Sequence, residues 1–170
     1  MSLTLREAWT VVHGMLFGAA FLLAFAGGLA GLYSLRPEWL TVQGLNERMV
    51  RLKGGLWIMA LVAWATVISG TFIVYPWYRE RDPGSPRSML LADPATAQWH
   101  TFGMEWKEHV GWLAPFAATV VAFAVTYYGP ELARRAGERR ALMFFFLVAF
   151  ATAAIAGLFG AFITKAAPLL

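Results

Sequence analysis

Three histidines hold most of the chemistry that this sequence offers. His100 and His109 lie in the stretch from Trp99 to Trp112, and His13 lies near the start of the chain. Neutral imidazoles bind haem iron and first-row metal ions. The sequence has no cysteine, which excludes thiolate metal sites, iron–sulfur clusters, covalently attached haem and disulfides. Histidine nitrogens, together with the carboxylate and thioether groups of the same stretch, therefore remain as candidate ligands.

The composition indicates which kind of protein must position these histidines. Of 170 residues, 59% are hydrophobic and 14% are charged, whereas soluble domains carry about 25% charged residues. The apolar residues form blocks of the length that a membrane-spanning helix needs, about 20 residues. The net charge of +4 comes from arginine clusters beside these blocks and not from a continuous basic face, so we expect no nucleic-acid partner. The sequence predicts an integral membrane protein whose first partner is the lipid bilayer.

The apolar blocks predict an all-α fold, a four-helix bundle that forms a single domain over residues 1–170. The predicted spans cover about residues 9–33, 54–74, 105–128 and 141–164. Residues 36–53 carry mixed charge and are interpreted as a loop. Asp93 followed by Pro94 has the pattern of a helix N-cap and first helical position, which predicts a short outer surface helix leading into the third span.

Charge distribution predicts the orientation in the membrane. The Arg-rich loop 131–140 is the densest basic cluster, so the positive-inside rule places it in the cytoplasm. Both termini and the long connection between spans two and three then face outward, as in a multi-pass protein of a bacterial-type inner membrane with a periplasm. The first span has no clear cleavage site and is interpreted as a retained helix and not as a signal peptide.

This topology brings two of the histidines to matched depth. Spans one and three run in the same direction, so His13 and His109 both lie just below the outer surface. Because bundle cores place cofactors between facing helices, the two imidazoles could share one iron. Gly14 and Gly18 would leave room for a flat macrocycle beside His13, and Trp112 would wall it. The alternative is an ordinary hydrogen-bonded histidine beside a small-residue packing face.

The other polar residues between Trp99 and Trp112 allow further interpretations. Nine residues at 100° each place His100 on the face opposite to His109, so His100 and Met104 are alternative metal ligands only if Gly103 breaks the helix. Glu105 could accept a hydrogen bond from the ring of His109, as partners of metal-bound imidazoles do, or form an ordinary surface pair. Copper or another metal ion bound by the three histidines and Glu105 is a further interpretation, although the spacing matches no recognised motif.

With His13-Gly14 in the first span and His109 at the outer end of the third, the chain resembles the four-helix, bis-histidine membrane cytochromes b. These are haem subunits of respiratory and photosynthetic electron-transfer chains. The chain lacks the second histidine pair that two-haem members have at the opposite surface. The resemblance implies one b-type haem per chain near the outer surface and a role as an electron carrier or subunit more than as a stand-alone enzyme. It also implies other membrane subunits, a periplasmic redox partner or quinol as partners.

A second function remains open at this point. The chain would also suit a non-catalytic accessory or pigment-binding subunit of a larger respiratory or photosynthetic membrane complex. In that case the histidines would serve as hydrogen-bonding or pigment-ligating groups.

Overall fold

A computed structural model describes residues 3–39 and 41–168 of the chain, and no strand occurs among them. Four helices are long and apolar enough to cross a membrane: α1 (Leu5–Tyr33), α2 (Val42–Tyr78), α4 (Trp99–Ala133) and α5 (Ala136–Ala166). The short helix α3 (Pro86–Ala92) lies between α2 and α4. The all-α architecture with four apolar helices is therefore confirmed.

Helix α2 begins much earlier than the sequence interpretation placed it. Thr41 caps it, because its hydroxyl oxygen accepts a hydrogen bond from the backbone nitrogen of Gly44 at 3.1 Å. The interpretation of residues 36–53 as a loop was wrong for most of that segment. Besides its charged residues, this segment contains apolar residues at helical spacing. Met49 and Leu52 form one buried stripe with Leu56.

The surface helix also begins at a different residue. Helix α3 starts at Pro86 with Ser85 as its N-cap, whose hydroxyl accepts from the backbone nitrogen of Ser88 at 3.3 Å. Asp93, which was expected to start the helix, instead accepts a hydrogen bond within a turn, from the backbone nitrogen of Ala95 at 2.9 Å. Both sites carry the same polar-residue-before-proline pattern. Burial distinguishes the two sites, because the helix forms where its residue Leu90 is buried, at 1% exposure.

The bundle core contains stacked aromatic rings between α1 and α5 and several small buried residues on α2 and α4. Around the bundle the packed neighbours are α1 with α2, α2 with α4, α4 with α5, and α5 with α1. Phe25 of α1 stacks on Phe146 and Phe150 of α5, with ring centroids 5.0 Å and 4.2 Å away. Small buried residues on α2 and α4 allow these two helices to approach closely; they include Ala60, Ala63, Ala118 and Ala122.

Large apolar side chains also cover the outside of the bundle. Leu23 is 82% exposed and Phe72 is 69% exposed. On a soluble protein such a surface would favour aggregation. It suits helices whose outer faces contact lipid chains.

The bundle has two chemically different ends. At the first end the side chain of Arg6, near the start of α1, donates two hydrogen bonds to the carboxylate of Glu80 after α2. At the same end Ile163 of α5 packs with Tyr78 and Met104. We call this the histidine end. The opposite end holds the α1–α2 and α4–α5 connections, and we call it the arginine end.

Candidate functional site

Three of the four spans widen into a π-helical segment at the histidine end. These segments are Val12–Gly18 in α1, Gly70–Val74 in α2 and Trp99–Met104 in α4. A π-helical turn inserts an extra residue into the hydrogen-bond ladder and often occurs at functional sites. The three segments contain His13, Gly70 and His100, and His109 follows the third segment in α4.

His13 is anchored to the backbone of the neighbouring helix. Its Nδ1 lies 2.8 Å from the carbonyl oxygen of Thr66 in α2 and 3.3 Å from the hydroxyl of Ser69. A carbonyl oxygen can only accept, so Nδ1 carries the proton and Nε2 keeps its lone pair. Among the described residues, Nε2 has no hydrogen-bond partner. His13 is therefore a fixed imidazole with a free ligating nitrogen.

A glycine that the sequence interpretation did not select allows this placement. A Cβ atom on Gly70 of α2 would lie 2.6 Å from Cε1 of His13, so the ring lies directly against the helix backbone. The two glycines that the sequence interpretation placed beside His13, Gly14 and Gly18, do not contact the imidazole ring. No atom lies within 4 Å of the position of a Cβ on Gly14, and Gly18 faces Thr66 across the α1–α2 contact. Gly18 thus faces α2 at an ordinary contact distance of 3.9 Å.

His109 has the same arrangement on α4. Its Nδ1 lies 2.9 Å from the carbonyl oxygen of Glu105, one helical turn earlier. The carboxylate of Glu105 is farther away, at 3.7 Å, so the hydrogen bond is made by the backbone of Glu105 and not by its side chain. The His109 side chain is 71% exposed, and its Nε2 has no partner within the described part of the chain. The ring of Trp112 meets Trp64 of α2 edge-on, with centroids 6.2 Å apart.

His13 and His109 lie at the same end of the bundle but point to different surroundings. His13 faces α2, whereas His109 lies on an exposed face of α4. Each imidazole suits metal or haem ligation, because its Nε2 is free and its Nδ1 is oriented by a carbonyl. No contact joins the two rings within the described residues.

His100 occupies a different environment from the other two histidines. The residue is 6% exposed. Its Nδ1 lies 2.8 Å from the hydroxyl of Tyr78, and its Nε2 accepts a hydrogen bond from Nε of Arg87 at 3.3 Å. With both nitrogens engaged, this ring connects the end of α2, the helix α3 and the start of α4. Met104 is also buried, in an apolar cluster with Tyr78 and Leu90.

The helix does not break at Gly103, which lies inside the π-helical segment Trp99–Met104. The surface segment therefore does not fold back over His13 or His109. In residues 3–39 and 41–168, no three His, Asp or Glu side chains group closely enough to hold a metal ion. The four side chains considered for a copper or other metal-ion site are thus not gathered in one place.

Three consecutive residues of α4 with polar groups were not predicted as part of the site: Trp106, Lys107 and Glu108. The Nζ of Lys107 lies 2.8 Å from the position of a Cβ on Gly160, so this side chain crosses to α5. Nε1 of Trp106 and Oε1 of Glu108 are buried without a hydrogen-bond partner in the described residues. The sequence offered a signal that one of these three residues is buried. Successive residues of a helix are 100° apart, so three in a row cannot all face water.

Comparisons of the chain with protein-family models, with curated proteins and with solved structures found no match.

Proposed function

We propose that this chain is a membrane electron-transfer protein that binds one b-type haem at the histidine end, where Nε2 of His13 and Nε2 of His109 would hold the iron. One observation carries the proposal. Both imidazoles hold Nδ1 against a backbone carbonyl, at 2.8 Å and 2.9 Å, and leave Nε2 without a protein partner. Metal-bound histidines typically have this arrangement. His100, with both nitrogens engaged, does not.

A bound b-type haem would supply reversible one-electron chemistry. The role of the chain is to hold and tune the ligands. The carbonyl oxygens of Thr66 and Glu105 orient the two rings and increase the basicity of their free nitrogens. Trp64 and Trp112 add apolar surface between α2 and α4. In this proposal a periplasmic redox partner, quinol or another membrane subunit would exchange electrons at this end.

The first test is an absorbance spectrum of the detergent-purified protein from haem-replete cells, oxidised and then reduced with dithionite. A pyridine haemochrome assay gives the stoichiometry. We expect a sharp reduced α-band and about one haem b per chain, because two strong-field imidazole ligands favour low-spin iron. Replacement of His13 or His109 by glycine should remove the haem, and added imidazole should restore it in the exposed His109→Gly variant.

The matched control is His100→Ala, which should retain the main absorbance. Thermal unfolding and gel filtration of each variant separate loss of ligand from loss of fold. A colourless protein that also fails to bind added haemin would overturn the proposal, as would full haem content in both the His13 and His109 variants. Stable copurification of other membrane subunits with a colourless chain would favour the accessory-subunit function instead.

A further inference from the structure

The arginine end contains an open cleft of about 450 Å³ that the haem proposal does not use. One wall is the α1–α2 connection, with Arg36, Glu38 and Trp39. The other wall is the α4–α5 connection, with Arg134 and Arg139. Three guanidinium groups and a single carboxylate therefore line the cleft. None of the three arginines forms an ion pair within residues 3–39 and 41–168.

Arg36 is held in place by aromatic rings and not by a carboxylate. Its guanidinium carbon lies 4.2 Å from the ring centroid of Tyr33 and 4.7 Å from that of Trp39. Its Nε donates to the carbonyl oxygen of Tyr33 at 3.3 Å. Its two terminal nitrogens have no partner among the described residues. Stacking thus orients the planar group while its strongest donors stay free.

Arg139 contributes a buried positive charge to the opposite wall. It is 8% exposed, and its Nη1 donates to the carbonyl oxygens of Leu132 and Ala133 at 3.2 Å and 2.8 Å. These carbonyls lie at the C-terminal end of α4, where a cation is favourable, and no described carboxylate neutralises the charge. A buried charge of this kind strongly favours an anion nearby.

The neighbouring Arg135 is different and shows that pairing is available at this end. Its guanidinium bonds Glu138 at 3.2 Å and Glu131 at 3.4 Å, and it does not line the cleft. The arginines of the cleft differ from Arg135 in lacking such partners. Arg135 serves as the matched control.

The position of the cleft relative to a bilayer indicates which kind of anion can reach it. Tyr33 and Trp39 are 49% and 54% exposed and flank the end of α1, and such rings mark the headgroup level of a bilayer. Basic pockets between helix ends at this level bind acidic lipid headgroups. We propose that the cleft binds the headgroup of an anionic phospholipid, whose phosphate takes hydrogen bonds from Arg36 and Arg134 beside the buried charge of Arg139.

The test is thermal unfolding of delipidated protein in detergent, titrated with phosphatidylglycerol or with phosphatidylcholine of the same chain length. A ligand that binds only the native state raises Tm with its concentration. We expect phosphatidylglycerol to raise Tm and phosphatidylcholine to have a much smaller effect. Arg36→Gln and Arg134→Gln should each weaken apparent binding about fivefold, the usual effect of one basic residue at an acidic membrane surface.

Two further variants separate binding from folding. Arg135→Gln should leave lipid binding unchanged. Glu38→Gln removes the single carboxylate of the cleft and should strengthen binding, an effect that damage to the fold would not produce. Arg139→Gln is a poor probe, because its guanidinium also holds the carbonyls of Leu132 and Ala133.

Equal stabilisation by the two lipids, or unchanged binding in the Arg36 and Arg134 variants, would overturn the proposal. Inorganic phosphate that matches phosphatidylglycerol at equal concentration would also overturn it and would indicate a site for soluble phosphate. The haem spectrum, followed in the same samples, reports the histidine end separately. Loss of one property therefore does not imply loss of the other.

Discussion

The imidazole of His13 lies against the backbone of Gly70, where a Cβ atom would approach Cε1 to 2.6 Å. This contact joins α1 to α2 at the point where both helices are π-helical. It also sets the direction of the ring, since Nδ1 then reaches the carbonyl oxygen of Thr66. Gly70 therefore acts on the candidate ligand by leaving space for it.

Gly70→Ala should displace the His13 ring from Thr66. We expect a loss of about 1–3 kcal/mol in the free energy of unfolding, the usual cost of forcing an extra methyl group into a packed contact. If His13 binds haem, haem content should fall with it. Gly54→Ala on the same helix is the control, because no atom lies within 4 Å of its Cβ position. Thermal unfolding and absorbance measure the two effects, and identical behaviour of the two variants would contradict the prediction.

Tyr78→Phe tests the buried contact with His100. Removal of the hydroxyl leaves Nδ1 of His100 buried without its partner at 2.8 Å. An unsatisfied buried polar group costs about 1–3 kcal/mol, so the variant should unfold at lower temperature while its haem content stays normal. Tyr127→Phe is the control, since Tyr127 is 76% exposed and such substitutions usually change stability by less than about 0.5 kcal/mol. Equal Tm values for the two variants would show that the Tyr78 contact has no energetic weight.

Two adjacent glycines of α1 should respond oppositely to the same substitution. A Cβ on Gly28 would lie 2.8 Å from Cε1 and Cζ of Phe146, a core residue that is 0% exposed. Gly28→Ala should therefore destabilise the bundle by about 1–3 kcal/mol. Nothing lies within 4 Å of the Cβ position of Gly27, so Gly27→Ala should be neutral or stabilising, as expected for a glycine replaced in a helix. Thermal unfolding in one detergent compares them, and a stable Gly28→Ala variant would contradict the packing described here.

The positions of the spans were readable from the sequence because the property that defines them is local. Mean hydropathy over about twenty residues suffices to identify a membrane-spanning helix. The early start of α2 was missed, although Thr41 and the helical spacing of Met49 and Leu52 are local signals for it. The start of α3 could not be read locally, because Ser85-Pro86 and Asp93-Pro94 are equivalent as local patterns. The tertiary structure distinguishes the two patterns, because Leu90 of α3 is buried against Tyr78, Met104 and Ile163.

The sequence by itself determined the all-α class, the four apolar helices and the separation of His100 from His109 along one helix. Each of these depends on residues within a few turns of one another. Only the tertiary structure decided which imidazoles keep a free nitrogen. His13 bonds a carbonyl in α2, and His100 bonds Tyr78 and Arg87. The same holds for the path of Lys107 across to Gly160 and for the cleft beside Arg139. These relationships join residues on different helices, and the packing of the helices sets their distances.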